Sequence, residues 1–127
     1  FTAREDEEIL TAISFAKPTG GFAYEKQKRK IGDYATAAAG VMITIEGGKC
    51  TAASVALTNL SDTPVYCTDA VDALVGSSLD DATIKAAVIA AVDASDPVAD
   101  TRGPVDFKKH VAGVIVKKAI TSAVARA

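Results

Sequence analysis

The feature that most constrains this chain is a change of period near its midpoint. Before Leu60 the stretches Ile9 to Ala16 and Val41 to Ile45 alternate, and after Thr68 apolar residues recur at helical spacing. A period of two belongs to a strand with one buried face, and a period near 3.6 to an amphipathic helix. The first half pivots on Gly47-Gly48. Before it Val41, Ile43 and Ile45 alternate with Met42 and Thr44; after it Cys50 to Leu60 reads as a strand with Val55 and Leu57 pointing inward. Two glycines between alternating runs signal a hairpin, because a tight turn there needs positive φ. Two earlier extended segments are expected. Ile9 to Ala16 places Ile9, Thr11, Ile13 and Phe15 on one face and ends at Pro18 and Gly20-Gly21, and Phe22 to Lys30 follows.

The second half reads as helix. Thr68 is expected to cap a short helix ending before Gly76. Ser78 and Asp81 have capping-box spacing. The helix they open runs to about Asp93, with Ile84, Ala87, Val88, Ala91 and Val92 at helical spacing. Ser95-Asp96-Pro97 breaks it, and Gly103-Pro104 starts a third, with proline in the first helical position. Phe107, Val111, Val114 and Ile115 are expected as its inner stripe, with Lys108, Lys109, Lys117 and Lys118 largely away from it. The expected fold is α+β: a small antiparallel sheet of three to four strands in the N-terminal half, packed against three helices in the C-terminal half. With 127 residues, no internal repeat and no long linker, residues 1–127 are expected to form one domain.

Composition narrows the function. A net charge of −2 and a pI near 5.3 argue against a dedicated nucleic-acid binder, which shows a basic excess. No apolar run approaches the roughly 18 residues of a membrane helix. The opening FTAREDEEIL is too acidic for a signal peptide. Two cysteines, without metal-type spacing, point to a reduced, cytoplasmic protein. The chain begins with Phe1, so a longer polypeptide is expected around it.

Few residues carry chemistry. His110 stands alone, and a lone histidine is a poor metal site or catalytic base; packing or a surface hydrogen bond is expected. Cys50 and Cys67 read as buried small hydrophobes. Asp80-Asp81 falls in a first helical turn, where acids suit the macrodipole. Asp96, Asp100 and Asp106 cluster around Arg102, as a local salt bridge and helix capping would require. No glycine-rich phosphate loop is present.

One stretch is left, AYEKQKRKIGDYA from Ala23 to Ala35. Four of the five positions from Lys26 to Lys30 are basic, and Tyr24 and Tyr34 flank them. A solvated strand edge explains lysines there, because they discourage edge-to-edge pairing. An extended segment would instead put Tyr24, Lys26 and Lys28 on one side and Glu25, Gln27 and Arg29 on the other. An aromatic plane and ammonium groups would then share a face suited to a flat, electron-rich or anionic ligand.

The same stretch resembles the segment that opens the C-terminal domain of the flavoprotein (medium) subunit of carbon monoxide dehydrogenase and related molybdenum hydroxylases. REDEEILTAISF, VALTNLSDTP and DPVADTRGPVDFKKHVAGVIVKKAI match further parts of that domain in order. One departure is Phe107-Lys108, where the family often has Tyr-Arg. The resemblance implies a sheet of three or four antiparallel strands on three helices. It implies FAD, held mostly by an N-terminal domain outside these residues, and partners that are an iron-sulfur subunit and a molybdopterin subunit. It makes Tyr24 the candidate for the isoalloxazine ring, with Lys26, Lys30 and Asp33 supporting the ring's polar edge or the local turn. The domain would help cover the flavin and dock the subunit while electrons pass from molybdenum and iron-sulfur centres to FAD and an external acceptor. The alternative is a non-catalytic α+β interaction or dimerisation module.

Overall fold

A computed structural model describes residues 4–15 and 17–127. The strands are β1 (Gly21–Gln27), β2 (Ala37–Glu46), β3 (Lys49–Thr58) and β4 (Val65–Tyr66); the helices are α1 (Thr68–Leu74), α2 (Asp81–Asp93) and α3 (Val105–Val124). The sheet has order β1-β2-β3-β4 with every neighbouring pair antiparallel. This is the α+β arrangement that the change of period predicts.

The hairpin forms where expected. Glu46 pairs with Lys49, and Gly47 and Gly48 sit between them at φ 58° and 76°. Both turn residues lie where a side chain is strained, which is the reason for two glycines. Upstream, Ala37, Ala39, Val41 and Ile43 face the helices and are buried, as are Val55 and Leu57 on β3. Met42, Phe22 and Tyr24 project from the opposite face.

α3 crosses β1 and β2, α2 lies on α3, and α1 joins α2 to β3. Gly21 fixes the closest approach. A Cβ there would stand 2.0 Å from the carbonyl oxygen of Ala123, so the end of α3 rests directly on the start of β1. Arg126 closes the same junction by donating to the carbonyl of Phe22 at 2.7 Å. No helix among the described residues is long and apolar enough to cross a membrane.

Five expectations change. The segment expected as a strand from Ile9 has no ladder partner among residues 9–15. Ile9, Ile13 and Phe15 are exposed, and Ala16 lies outside the described residues. Alternation chooses a face but does not create a ladder: β1 leaves its outer edge open, and residues 9–15 do not pair with it. The caps shift as well. Cys67, not Thr68, precedes α1 and makes no side-chain cap bond. Asp80 caps α2, its carboxylate accepting the Thr83 amide at 2.8 Å, where Ser78 was expected. Pro104 is the residue before α3 and not its first turn. Finally, the inner stripe of α3 is Lys108, Val111, Ala112, Ile115, Val116, Ala119, Ile120 and Ala123. Val111 and Ile115 hold their expected places, whereas Phe107 and Val114 are exposed. Three alanines belong to this stripe, and small side chains let a helix lie close to a sheet. Cys50 and Cys67 are both buried and free.

Candidate functional site

β1 carries Tyr24 and Lys26 on the outward face, and Gln27 is its last paired residue. Beyond it the alternation stops, so Lys28 does not continue the Tyr24–Lys26 face. The chain bends and returns through a tight turn. The Asp33 amide donates to the Lys30 carbonyl at 3.2 Å, with Gly32 at φ 82°. The Thr36 amide then donates to the Gln27 carbonyl at 2.8 Å, closing the loop.

Asp33 braces this loop from within. Its carboxylate accepts from Arg29 Nε at 3.1 Å and from the Tyr34 amide at 2.9 Å, and Arg102 stands 3.9 Å away. Burial works to raise its pKa. The Arg29 hydrogen bond, the Tyr34 amide and the charges of Arg29 and Arg102 outweigh that, holding the carboxyl below the usual carboxylate range. The backbone carbonyl of Asp33 accepts from Lys26 Nζ at 3.1 Å, so the lysine amine is drawn toward the turn. Across the loop, Asn59 adopts φ 63° and donates its side-chain amide to the Ala35 carbonyl.

These contacts enclose an open cleft of about 410 Å³ lined by Tyr24, Lys26, Gly32, Asp33, Tyr34, Ala35, Thr58 and Asn59. Three of the four residues singled out by sequence, Tyr24, Lys26 and Asp33, therefore meet at one place. Lys30 does not join them; it borders a separate hollow with Arg29 and Asp33 on the other side of the turn. Tyr34, Thr58 and Asn59 were not singled out as site residues. The signal for Tyr34 was its place in the quoted stretch, and Asn59 follows the last residue of β3, where no local motif marks it.

A second hollow of about 360 Å³ adjoins Tyr24 on the outward sheet face, between Pro18, Phe22, Gly40, Met42, Ser54 and Ala56. It is almost wholly apolar. The tyrosine ring lies over Gly40, its cross-strand partner, and so separates an apolar surface from a polar one.

Behind the cleft, Arg102 lies over the Tyr34 ring, 5.7 Å from its centroid, and 3.9 Å from Asp100. Asp100 in turn pairs with Lys108 at 2.9 Å. Lys108, expected on the surface, is buried, and its amine also donates to the Val98 carbonyl at 2.7 Å. The Lys108 hydrogen bond leads the interactions that lower the Asp100 pKa, followed by the Arg102 amide. His110 is exposed and takes no part.

A four-stranded antiparallel sheet backed by three helices, with an open cleft at a strand end, defines a layered α+β domain. The known proteins it resembles give that class a lineage. The family of the CO dehydrogenase flavoprotein C-terminal domain matches residues 22–123, and the chain belongs to it. It is 50% identical to the carbon monoxide dehydrogenase medium chain of Afipia carboxidovorans over 100% of this chain and 45% of that one. It is 37% identical to the medium chain from Hydrogenophaga pseudoflava, over 98% and 44%. A solved Cu,Mo-CO dehydrogenase in a cyanide-inactivated form superposes with a TM-score of 0.83 and 49% identity, over 87% of this chain and 39% of that one. The chain thus spans less than half the length of the relatives it matches.

Proposed function

We propose that this chain forms one wall of the FAD site in the flavoprotein subunit of a molybdenum hydroxylase of the carbon monoxide dehydrogenase type. The observation that carries the reading is the convergence of Tyr24, Lys26 and Asp33 in one cleft with Tyr34 and Asn59. The donor set fits the edge of a flat heterocycle: aromatic planes at its sides, an ammonium and a carboxamide at its rim. It does not fit a pyrophosphate, because no run of backbone amides at a helix start opens onto the cleft. The phosphates belong to the preceding domain of the same subunit. This division agrees with a family of flavoprotein C-terminal domains and with relatives more than twice as long.

When bound, FAD would supply the two-electron chemistry that links iron-sulfur and molybdenum centres in partner subunits to an external acceptor. The chain's own residues shape the surroundings. Tyr24 offers a flat wall and shields one ring edge from water. Lys26 places a positive charge at the rim, where Coulomb attraction favours any negative charge the ring gains. Asp33 acts through the turn: its carboxylate is held by Arg29 and the Tyr34 amide, and its carbonyl anchors Lys26. Lys30, on the far side of the turn, contributes charge at longer range. The apolar sheet face beside Tyr24 is suited to docking within the assembly. A cytoplasmic complex agrees with two free cysteines.

The test is a mutant series in the full-length subunit, read by flavin absorbance and reduction potential. Tyr24→Ala is expected to disturb the flavin spectrum at little cost in stability. Lys26→Ala is expected to lower the potential by more than Lys30→Ala does. An unchanged spectrum and potential across all three variants would refute the assignment of the cleft.

A further inference from the structure

We infer that Arg102 is a positioning residue for the cleft: it pins the Tyr34 side of the loop and, through Asp33, the anchor of Lys26. The inference rests on the reading of the cleft as a ligand wall, but its geometry is separate. Arg102 is far from the loop in sequence, in the turn between Asp100 and Gly103, which pair as an isolated bridge. Its amide donates to the Asp100 carboxylate at 2.7 Å. That backbone bond fixes where the side chain starts.

The guanidinium then reaches across to the Lys28–Ala35 loop. It stands 3.9 Å from Asp33 and 3.9 Å from Asp100, with its centre 5.7 Å from the Tyr34 ring centroid. A direct charge-assisted bond is near 2.8 Å, so neither carboxylate captures it. Its Nε is buried without a partner. A guanidinium shared between two carboxylates and an aromatic face acts as a cationic spacer: it holds Asp33 and Asp100 at a set separation and gives the Tyr34 ring a flat seat. The other end is rigid, because the buried Lys108 holds Asp100 from α3. Charges alternate along the path from Lys108 through Asp100, Arg102 and Asp33 to Arg29. The path ties a surface loop to the central helix, and Arg102 is its link to Asp33.

Two substitutions separate charge from shape. Arg102→Lys keeps a cation near Asp33 but offers Tyr34 no planar group. Arg102→Gln keeps a planar end and loses the charge. In the full-length subunit, amide hydrogen exchange across residues 28–36 is measured beside the flavin absorbance. The Asp33, Tyr34 and Thr36 amides are hydrogen-bonded in the loop, so loosening it exposes them. Arg102→Gln is expected to speed exchange there roughly tenfold, with the α3 amides unchanged. Arg102→Lys is expected to recover most of that protection, while the Tyr34 ring environment stays altered by NMR. Unchanged loop exchange in Arg102→Gln overturns the inference whatever the flavin does, and so does loss of protection spread evenly over the domain. Loop exchange that rises while the flavin spectrum stays put supports the role of Arg102 and counts against the flavin reading of the cleft.

Discussion

Truncating Ile120 and Phe107 in parallel tests how α3 faces the sheet. Ile120 is fully buried, whereas Phe107 is 45% exposed. Ile120→Ala removes three carbons from a closed core. At about 0.8 kcal/mol per buried carbon that is roughly 2.4 kcal/mol, and the cavity left behind raises it to about 3–4 kcal/mol. Phe107→Ala removes a ring that is about half in water and leaves an open dent, not a cavity. Its cost is about 1 kcal/mol. The assay is urea unfolding followed by far-UV circular dichroism, on protein that shows a single cooperative transition. With a urea dependence of about 1.5 kcal/mol per molar, the midpoint falls by roughly 2 M for Ile120→Ala and by under about 1 M for Phe107→Ala. Equal shifts, or a larger one at Phe107, would mean that α3 is turned toward the Phe107–Val114 face and that the packing described above is wrong.

Gly21→Ala is expected to destabilise by about 1–3 kcal/mol, less about 0.4–1 kcal/mol from a stiffer unfolded chain, since the new methyl would meet the Ala123 carbonyl; a neutral or positive shift in Tm would place the end of α3 elsewhere. Asp33 and Asp100 both hold protons less tightly when folded, so their contribution is present above the unfolded carboxylate pKa of about 3.9 and lost as pH falls through the lower folded values. Urea midpoints should therefore drop below about pH 4, and Asp33→Asn should flatten that drop; an unaltered acid limb would refute the brace. Burial pushes the Cys50 and Cys67 thiols up, so an aromatic disulfide reagent should leave the native protein unmodified and titrate both only after unfolding. Rapid native reaction at either position would contradict their burial.

Much of the fold is legible because its signals are local. Gly47-Gly48 sets a turn that only positive φ satisfies, and the alternation on either side fixes which face is buried. α2 is equally plain, since Ile84, Ala87 and Ala91 repeat at helical spacing and all are buried. α3 is harder because its seam is built from alanines. Bulky residues draw the eye to Phe107 and Val114, but Ala112, Ala119 and Ala123 are the buried small residues of the seam, and Ala123 meets the backbone of β1 at Gly21. A lysine in that seam is harder still. Lys108 is buried because Asp100 and the Val98 carbonyl meet its amine, and both come from a loop with no regular period. The N-terminal segment errs the other way: its alternation is clear, but alternation carries no information about a partner edge.

The candidate site divides along the same line. Tyr24 and Lys26 are visible from the sequence because two residues on one strand must share a face while pairing lasts. Pairing ends at Gln27, and from there the basic run has no common direction. Arg29 folds back on Asp33, Lys30 turns to the far side, and Lys26 is the residue of the basic run that lines the cleft. The run therefore does not act as a cationic patch. Arg29 and Lys26 are bonded to Asp33 within the turn. Tyr34 and Asn59 follow from that turn, since they reach the cleft only after the chain has reversed. Arg102 is the furthest removed. Its nearest acids in sequence, Asp100 and Asp106, fully explain it locally, and only the fold brings Asp33 within 3.9 Å. A candidate surface made by a strand end is readable from its pattern; the residues that hold that surface in place come from wherever the core delivers them.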